Sequence, residues 1–269
     1  MKNKYGIQKI SSEADFHDRW ASEINEEEID VISSFTGSTS PENRYLISFL
    51  GNLQGKRILE LGCGAGENSI YFALQGANVT ATDISEGMLE KTNRLAKKYG
   101  VKIDTHKMDA MNITFENDAF DVVYAANTLH HVDTPTAIHE IHRVLKPGGF
   151  MCTWDPLCHN PIINIYRRMA TKVRTIDEHP LSINIIDSIR AKFSHLDYET
   201  FWFFSLWIFL RFYLIEKIHP NDQRYWKKIV LEEKRLRPLY YKLERFDLLV
   251  KKIPFVKRFG WNIALAARK

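Results

Sequence analysis

From residue 57 onward, short apolar runs alternate with segments whose apolar positions recur three and four residues apart, the pattern of strands followed by amphipathic helices. Five strands are predicted in turn, over 57–61, 78–82, 102–106, 120–125 and 149–154. The helices between them carry their own punctuation. Ser85 caps a helix that holds Met88, Leu89, Leu95 and Ala96 and ends near Gly100. Another begins at Thr134 with Pro135 in its first turn, buries Ile138, Ile141, Val144 and Leu145, and stops at Lys146-Pro147-Gly148-Gly149, which reads as a turn. Such alternation implies an α/β fold with a parallel sheet covered by helices.

Two flanking regions depart from this rhythm. Before it, Phe16, Trp20 and Ile24 recur at helical spacing, and a second helix starts at Pro41 with Ser40 as its cap and carries Leu46, Ile47 and Leu50. After Pro156, helical stretches over 162–169 and 183–193 precede a strand at 197–204, and 261–267 reads as a last strand. The expected organisation is a helical cap at 1–54, a core at 55–204 and 255–269, and a helical insertion at 205–254.

Composition adds boundaries more than identity. With 269 residues, 45% hydrophobic and 26% charged, the chain has the make-up of a globular protein with one principal domain. The formal net charge of +4 does not suggest nucleic-acid binding. Cys63, Cys152 and Cys158 are too few and too scattered for a disulfide framework, and no CxxC pair offers metal-ligand spacing, so a reducing cytoplasmic setting without a metal is expected. Residues 1–10 lead into acidic and polar positions, so no signal peptide is expected, and no apolar run reaches the roughly 18 residues of a membrane span.

The charge is unevenly spread. Residues 211–258 hold 14 Lys plus Arg against 6 Asp plus Glu, a local +8. Just before them, 202–215 is rich in Trp and Phe, yet too short for a membrane span and interrupted by Arg211. Three readings of 202–254 stay open: a lid over a greasy pocket, a homo-oligomer interface, or a peripheral membrane contact.

The chemistry concentrates at Glu60-Leu61-Gly62-Cys63-Gly64-Ala65-Gly66-Glu67, where a buried strand runs through a glycine-rich bend into a helix. Glycines there let the backbone turn sharply and let a ligand approach closely. Asp83, at the end of the next strand, is placed to accept both hydroxyls of a ribose. A dinucleotide fingerprint would want Gly at position 67, where this chain has Glu.

The pattern Glu60-x-Gly62-x-Gly64-x-Gly66 with Asp83 resembles the class I S-adenosylmethionine-dependent methyltransferases of the small-molecule type. Further segments similar to that family follow in order: His106–Ala110 with Phe120–Val123, Ala125–Val132, and Arg143–Gly149. The resemblance implies a Rossmann-like three-layer sandwich whose seven-stranded sheet is mostly parallel with an antiparallel last strand. It implies S-adenosylmethionine as cofactor and S-adenosylhomocysteine as product. Glu60, Gly62, Cys63, Gly64 and Gly66 would serve the methionine end, Asp83 the ribose, Ile84, Met88, Asp109 and Ala110 the adenine, and Asn127 would lie near the sulfonium.

His130 and His131, at the sheet mouth after the fourth strand, are candidate bases, and Asp155 and His159 after the fifth are weaker candidates for catalysis and substrate contact. Phe16, Trp20 and Trp154 are expected to wall the acceptor pocket, and an aromatic face attracts a sulfonium by about 0.5–2 kcal/mol. A hydrophobic small-molecule acceptor fits these residues best. The alternative is a module that keeps the fold and binds the cofactor without transferring anything.

Overall fold

The computed structural model describes residues 2–175 and 178–269; residue 1 of the expected cap and residues 176–177 of the expected core lie outside them. Its centre is a seven-stranded sheet in the order β3-β2-β1-β4-β5-β7-β6. The strands are β1 (Arg57–Leu61), β2 (Asn78–Asp83), β3 (Asp104–Lys107), β4 (Phe120–Ala126), β5 (Leu145–Pro156), β6 (His195–Phe201) and β7 (Asn262–Arg268). β1 to β5 pair in parallel, and β7 inserts antiparallel between β5 and β6.

Side chains alternate between two cores as the pleat demands. On β1, β4 and β7, Leu59, Leu61, Val123, Ala125, Ile263 and Leu265 face one helical layer, whereas Ile58, Val122, Tyr124, Ala264 and Ala266 face the other. The first layer holds α6 (Thr134–Val144) and α8 (Ile185–Arg190) through Ile138, Ile141, Ile186 and Ile189. The second holds α2 (Val31–Thr36), α3 (Pro41–Leu50), α4 (Glu67–Leu74) and α5 (Glu86–Tyr99) through Phe35, Leu46, Ile70 and Leu95. The three-layer expectation is met.

Local chemistry sets the helix ends. Ser85 Oγ accepts from Met88 N at 3.1 Å, and Gly100 closes α5 in the left-handed region at φ 67°. Asp133 caps α6 by accepting from Thr136 N at 3.2 Å. Ser40 stands at the start of α3 but does not cap it, since its Oγ donates to Ser34 O at 2.8 Å.

Two sequence expectations need correction. Lys146-Pro147-Gly148-Gly149 is not a turn between elements; it lies within β5, where the register jumps from Phe120↔Leu145 to Val122↔Phe150 and the extra residues bulge outward. The sheet tolerates the bulge because Gly148 takes φ 77°. Also, α2 was not expected; Asp30 caps it by accepting from Ser33 N at 3.0 Å.

The chain leaves the sheet after β6 and forms α9 (Trp207–Leu210), α10 (Tyr225–Leu231) and α11 (Glu233–Val250) before returning along β7. These helices have a core of their own, in which Trp202, Phe209, Phe212, Tyr225 and Tyr240 pack with Ile163 and Tyr166 of α7 (Pro161–Met169). The N-terminal α1 (Lys2–Glu23) docks by Asp18, whose carboxylate accepts from Gly87 N at 2.9 Å at the start of α5.

Candidate active site

The sheet order reverses between β1 and β4, and open α/β sheets hold ligands outside the strand ends at such a point. A cavity of about 570 Å³ lies there. The strand ends, α1 with Glu13, Phe16, His17 and Trp20, α3 with Asn43, α7 with Arg167 and the loop after it, and α10 with Trp226 and Lys227 all line it.

The floor is the bend after β1. Gly62, Gly64 and Gly66 take φ of 65°, 55° and 90°, a region that strains any residue with a Cβ. A Cβ on Gly62 would stand 2.6 Å from Thr128 Oγ1, and one on Gly66 would stand 2.7 Å from Thr92. At Gly64 a Cβ would meet no atom within 4 Å, and this residue lines the cavity. Gly64 therefore leaves open space at the cavity surface. Cys63 is buried beside it, and burial pushes its thiol well above the ordinary range, which keeps it unreactive.

Asp83 reaches the same bend from β2. Its Oδ2 accepts from Gly64 N at 2.9 Å and its Oδ1 from Ser85 N at 2.9 Å. Burial raises its pKa, opposed by the nearby charge of His17 and by these amide donors. Ile84, Asp109, Ala110 and Asn127 also line the cavity. Asp109 tightens its own loop by accepting from Met111 N at 2.8 Å, and Asn127 sits at φ 57° with its N–H on Trp154 O at 2.7 Å.

Three expected cofactor residues are placed behind this surface. Glu60 is fully buried, bonded to Asn68 Nδ2 at 2.9 Å and to Ser69 Oγ, and burial lifts its carboxyl to about 8. It braces the first turn of α4. Gly66 begins that helix, and Met88 is a core residue below Ser85. None of the three is part of the cavity wall.

After β4, His130 Nδ1 lies 2.8 Å from Asp155 Oδ1, which also accepts from His130 N at 3.1 Å. Burial pushes Asp155 up to about 7 and His130 well below its usual value, so the ring favours its neutral form. His130 lines the cavity, and Asp155 stands behind it. His131 Nδ1 lies 3.1 Å from Glu13 Oε1 on α1. Burial alone would lower His131; the hydrogen bond and charge of Glu13, with Glu178 and Asp155, raise it instead.

Phe16, Trp20 and Trp154 line the cavity as expected of a wall. Trp154 is fixed by its Nε1–H on Asn43 Oδ1 at 2.8 Å, and Trp20 meets Trp226 edge-on at 5.7 Å. His159 is the correction: it takes no part in the wall, because its Nε2 turns to accept from Ile183 N at 3.4 Å. Its expected substrate role has no support.

Several wall residues were not anticipated. Glu13, His17, Asn43, Arg167, Arg174, Glu178, Arg224 and Lys227 all come from elements outside the strand-end motifs. His130, His131 and Glu178 also bring one ligand-type atom each within 4.8 Å of one another, although no metal was expected.

Residues 58–149 match the family model described as a methyltransferase domain. The chain is 38% identical over 100 residues to a ubiquinone biosynthesis O-methyltransferase from Pseudomonas syringae, covering 36% of this chain and 43% of that protein. It is 34% identical over 145 residues to a demethylmenaquinone methyltransferase from Streptomyces avermitilis, covering 51% of this chain and 61% of that one. The chain thus spans about half the length of these relatives. A SAM-dependent methyltransferase structure from Thermotoga maritima, 17% identical, superposes with a TM-score of 0.57 over 95% of this chain and 99% of that one, which speaks for the fold. Residues 58–149 thus resemble a methyltransferase domain, and the chain shares the fold of that S-adenosylmethionine-dependent methyltransferase structure.

Proposed function

We propose that this protein moves the methyl group of S-adenosylmethionine to a small, lipophilic acceptor held in the same cavity. The observation that carries the reading is that one cavity is lined by Gly64, Asp83 and the His130 ring, which Asp155 backs. The residues fit the cofactor: a cradle at Gly64 that a Cβ would fill, a carboxylate at Asp83, and apolar cover from Ile84 and Ala110. Bound there, S-adenosylmethionine supplies an already electrophilic methyl group.

The protein's part is then alignment and proton removal. Positioning of two reactants supplies about 7–11 kcal/mol of the barrier. Asp155 orients His130 by holding Nδ1, which leaves Nε2 as the ring atom free to accept a proton from an acceptor hydroxyl. Phe16, Trp20, Trp154 and Trp226 exclude water and favour an apolar body. The quinone-pathway names of the two curated relatives support an acceptor of that kind.

Residues 205–254 act in this reading as a lid. α10 and its cap residue Arg224 contribute Arg224, Trp226, Lys227, Ile229 and Val230 to the cavity, and Lys227 Nζ ties the helix to Glu67 Oε1 at 3.1 Å beside the glycine bend. The same insertion exposes Ile215 (72%) with Trp207, Leu214 and Leu249, which favours contact with a membrane surface as well. No helix among the described residues is long and apolar enough to cross a membrane.

Incubation with methyl-labelled S-adenosylmethionine and a set of lipophilic quinols and phenols tests the proposal. Label should move to at least one of them. Binding of the cofactor with no transfer to any would favour the non-catalytic module instead.

A further inference from the structure

The cavity wall carries four cationic side chains from α7, the loop after it and α10. Three are matched by acids: Arg174 by Glu178, Arg224 by Glu23 at 3.4 Å, and Lys227 by Glu67 at 3.1 Å. Arg167 is different. Its Nη1 donates to Leu157 O at 3.0 Å and Asn164 Oδ1 at 2.8 Å, which fixes the guanidinium plane, while its Nη2 is buried with no hydrogen-bond partner among the described residues. No acid among the described residues pairs with it at salt-bridge distance. A buried charged donor left in this state is costly, and a guanidinium edge is shaped to meet an anionic oxygen.

Its position relative to the chemistry matters as much. Arg167 lines the same cavity as His130 and acts on the His130 ring electrostatically. Apolar and aromatic groups, Ile163, Val173 and Trp226, line the wall with it. His130, His131 and Glu178 have the spacing of a cation site, but Arg174 already occupies Glu178, and both arginines would repel a metal ion there.

We propose that Arg167 anchors an anionic oxygen of the acceptor, so that the substrate class is an amphiphilic acid: an apolar body carrying a carboxylate or acidic phenolate. This rests on the reading of the cavity as a methyl-transfer site. The anionic group pairs with the Arg167 guanidinium at the cavity wall, the apolar body fills the aromatic wall, and the group to be methylated is held near His130. Arg167 is thus a specificity-determining residue, distinct from the base.

The test uses 2-naphthoate and 2-naphthamide, two probes of the same shape that differ in charge, titrated into the full chain with and without S-adenosylhomocysteine. Naphthoate should bind at least about tenfold more tightly than the amide. Arg167→Met should bring the two within about twofold, whereas Arg167→Lys and the exposed neighbour variant Arg168→Met should keep a preference for the acid. Equal affinities in the unaltered protein, no binding of either probe, or a preference that survives Arg167→Met would overturn the proposal. If Arg167→Met does not fold, the ratio in the unaltered protein and in Arg167→Lys decides. A separate titration of S-adenosylhomocysteine keeps the two readings apart. Normal nucleoside binding without an anion preference contradicts only this inference, and absent nucleoside binding contradicts the methyl-transfer reading beneath it.

Discussion

The Nδ1 atom of His130 lies 2.8 Å from Oδ1 of Asp155, so a cavity-facing ring is held by a carboxylate that the cavity wall does not include. Replacing His130 by Ala should lower kcat by roughly 10²- to 10⁴-fold, the usual contribution of a positioned base. Asp155→Asn keeps the shape but lets the ring take the wrong tautomer, so kcat should fall by at least about tenfold while KM for S-adenosylmethionine changes little. Steady-state kinetics on both substrates separate the two effects. A fall in cofactor affinity with kcat intact would give the pair a structural role only.

The same pair sets a pH profile. Asp155 is pushed up to about 7 by burial, so below that value it is protonated, and the ring then loses the carboxylate that fixes Nδ1–H. Activity should rise between pH 6 and 8 and level off above, as the carboxylate ionises beside a neutral His130. A rate that falls over that interval would contradict the assignment of His130 as base.

Glu60 makes a prediction about stability. Its folded-state value of about 8 stands above the ordinary 4.5, so the folded protein binds the extra proton between those limits. Stability contributed at this site is therefore lost as pH rises from about 5 to 8, at no more than ~1.4 kcal/mol per pH unit. Thermal melts at pH 6 and pH 8 should show the unaltered protein losing more than Glu60→Gln. Parallel losses in the two proteins would show that Glu60 does not titrate in this way.

Gly62→Ala tests the bend by sterics. The new Cβ would stand 2.6 Å from Thr128 Oγ1 at φ 65°. Strain of the left-handed region costs about 1–2 kcal/mol, and the clash adds to it. Combining it with Thr128→Ala should recover the clash and leave the backbone strain, so the two changes should be non-additive in chemical denaturation. Simple additivity would mean that the loop moves aside.

Much of this was legible in the sequence, for physical reasons that differ by region. β1, the glycine bend, Asp83 and α5 announce themselves locally, through a buried run, positive-φ glycines and a Ser85 cap. The parallel order followed from the alternation of strand and helix. What was hidden depends on residues far apart in the chain: Glu13 meets His131 across 118 positions, and Lys227 meets Glu67 across 160. Arg167 gives no periodic signal, because its distinction is one buried atom without a partner. His159 and Met88 show the converse error, since nearness in sequence to a motif did not carry their side chains into the cavity. The Pro-Gly-Gly segment misled because a register jump within β5 uses the same residues as a turn.

The most direct measurement is calorimetric titration of S-adenosylmethionine into the full chain, into Asp83→Ala and into Gly64→Val. The unaltered protein should bind one equivalent. Asp83→Ala should weaken binding about 10- to 150-fold, corresponding to roughly 1.5–3 kcal/mol for a charge-assisted hydrogen bond. Gly64→Val, whose side chain enters the cavity, should abolish binding while circular dichroism stays unchanged. Affinity that is equal in all three folded proteins, or absent in the first, would contradict a cofactor seat between Gly64 and Asp83.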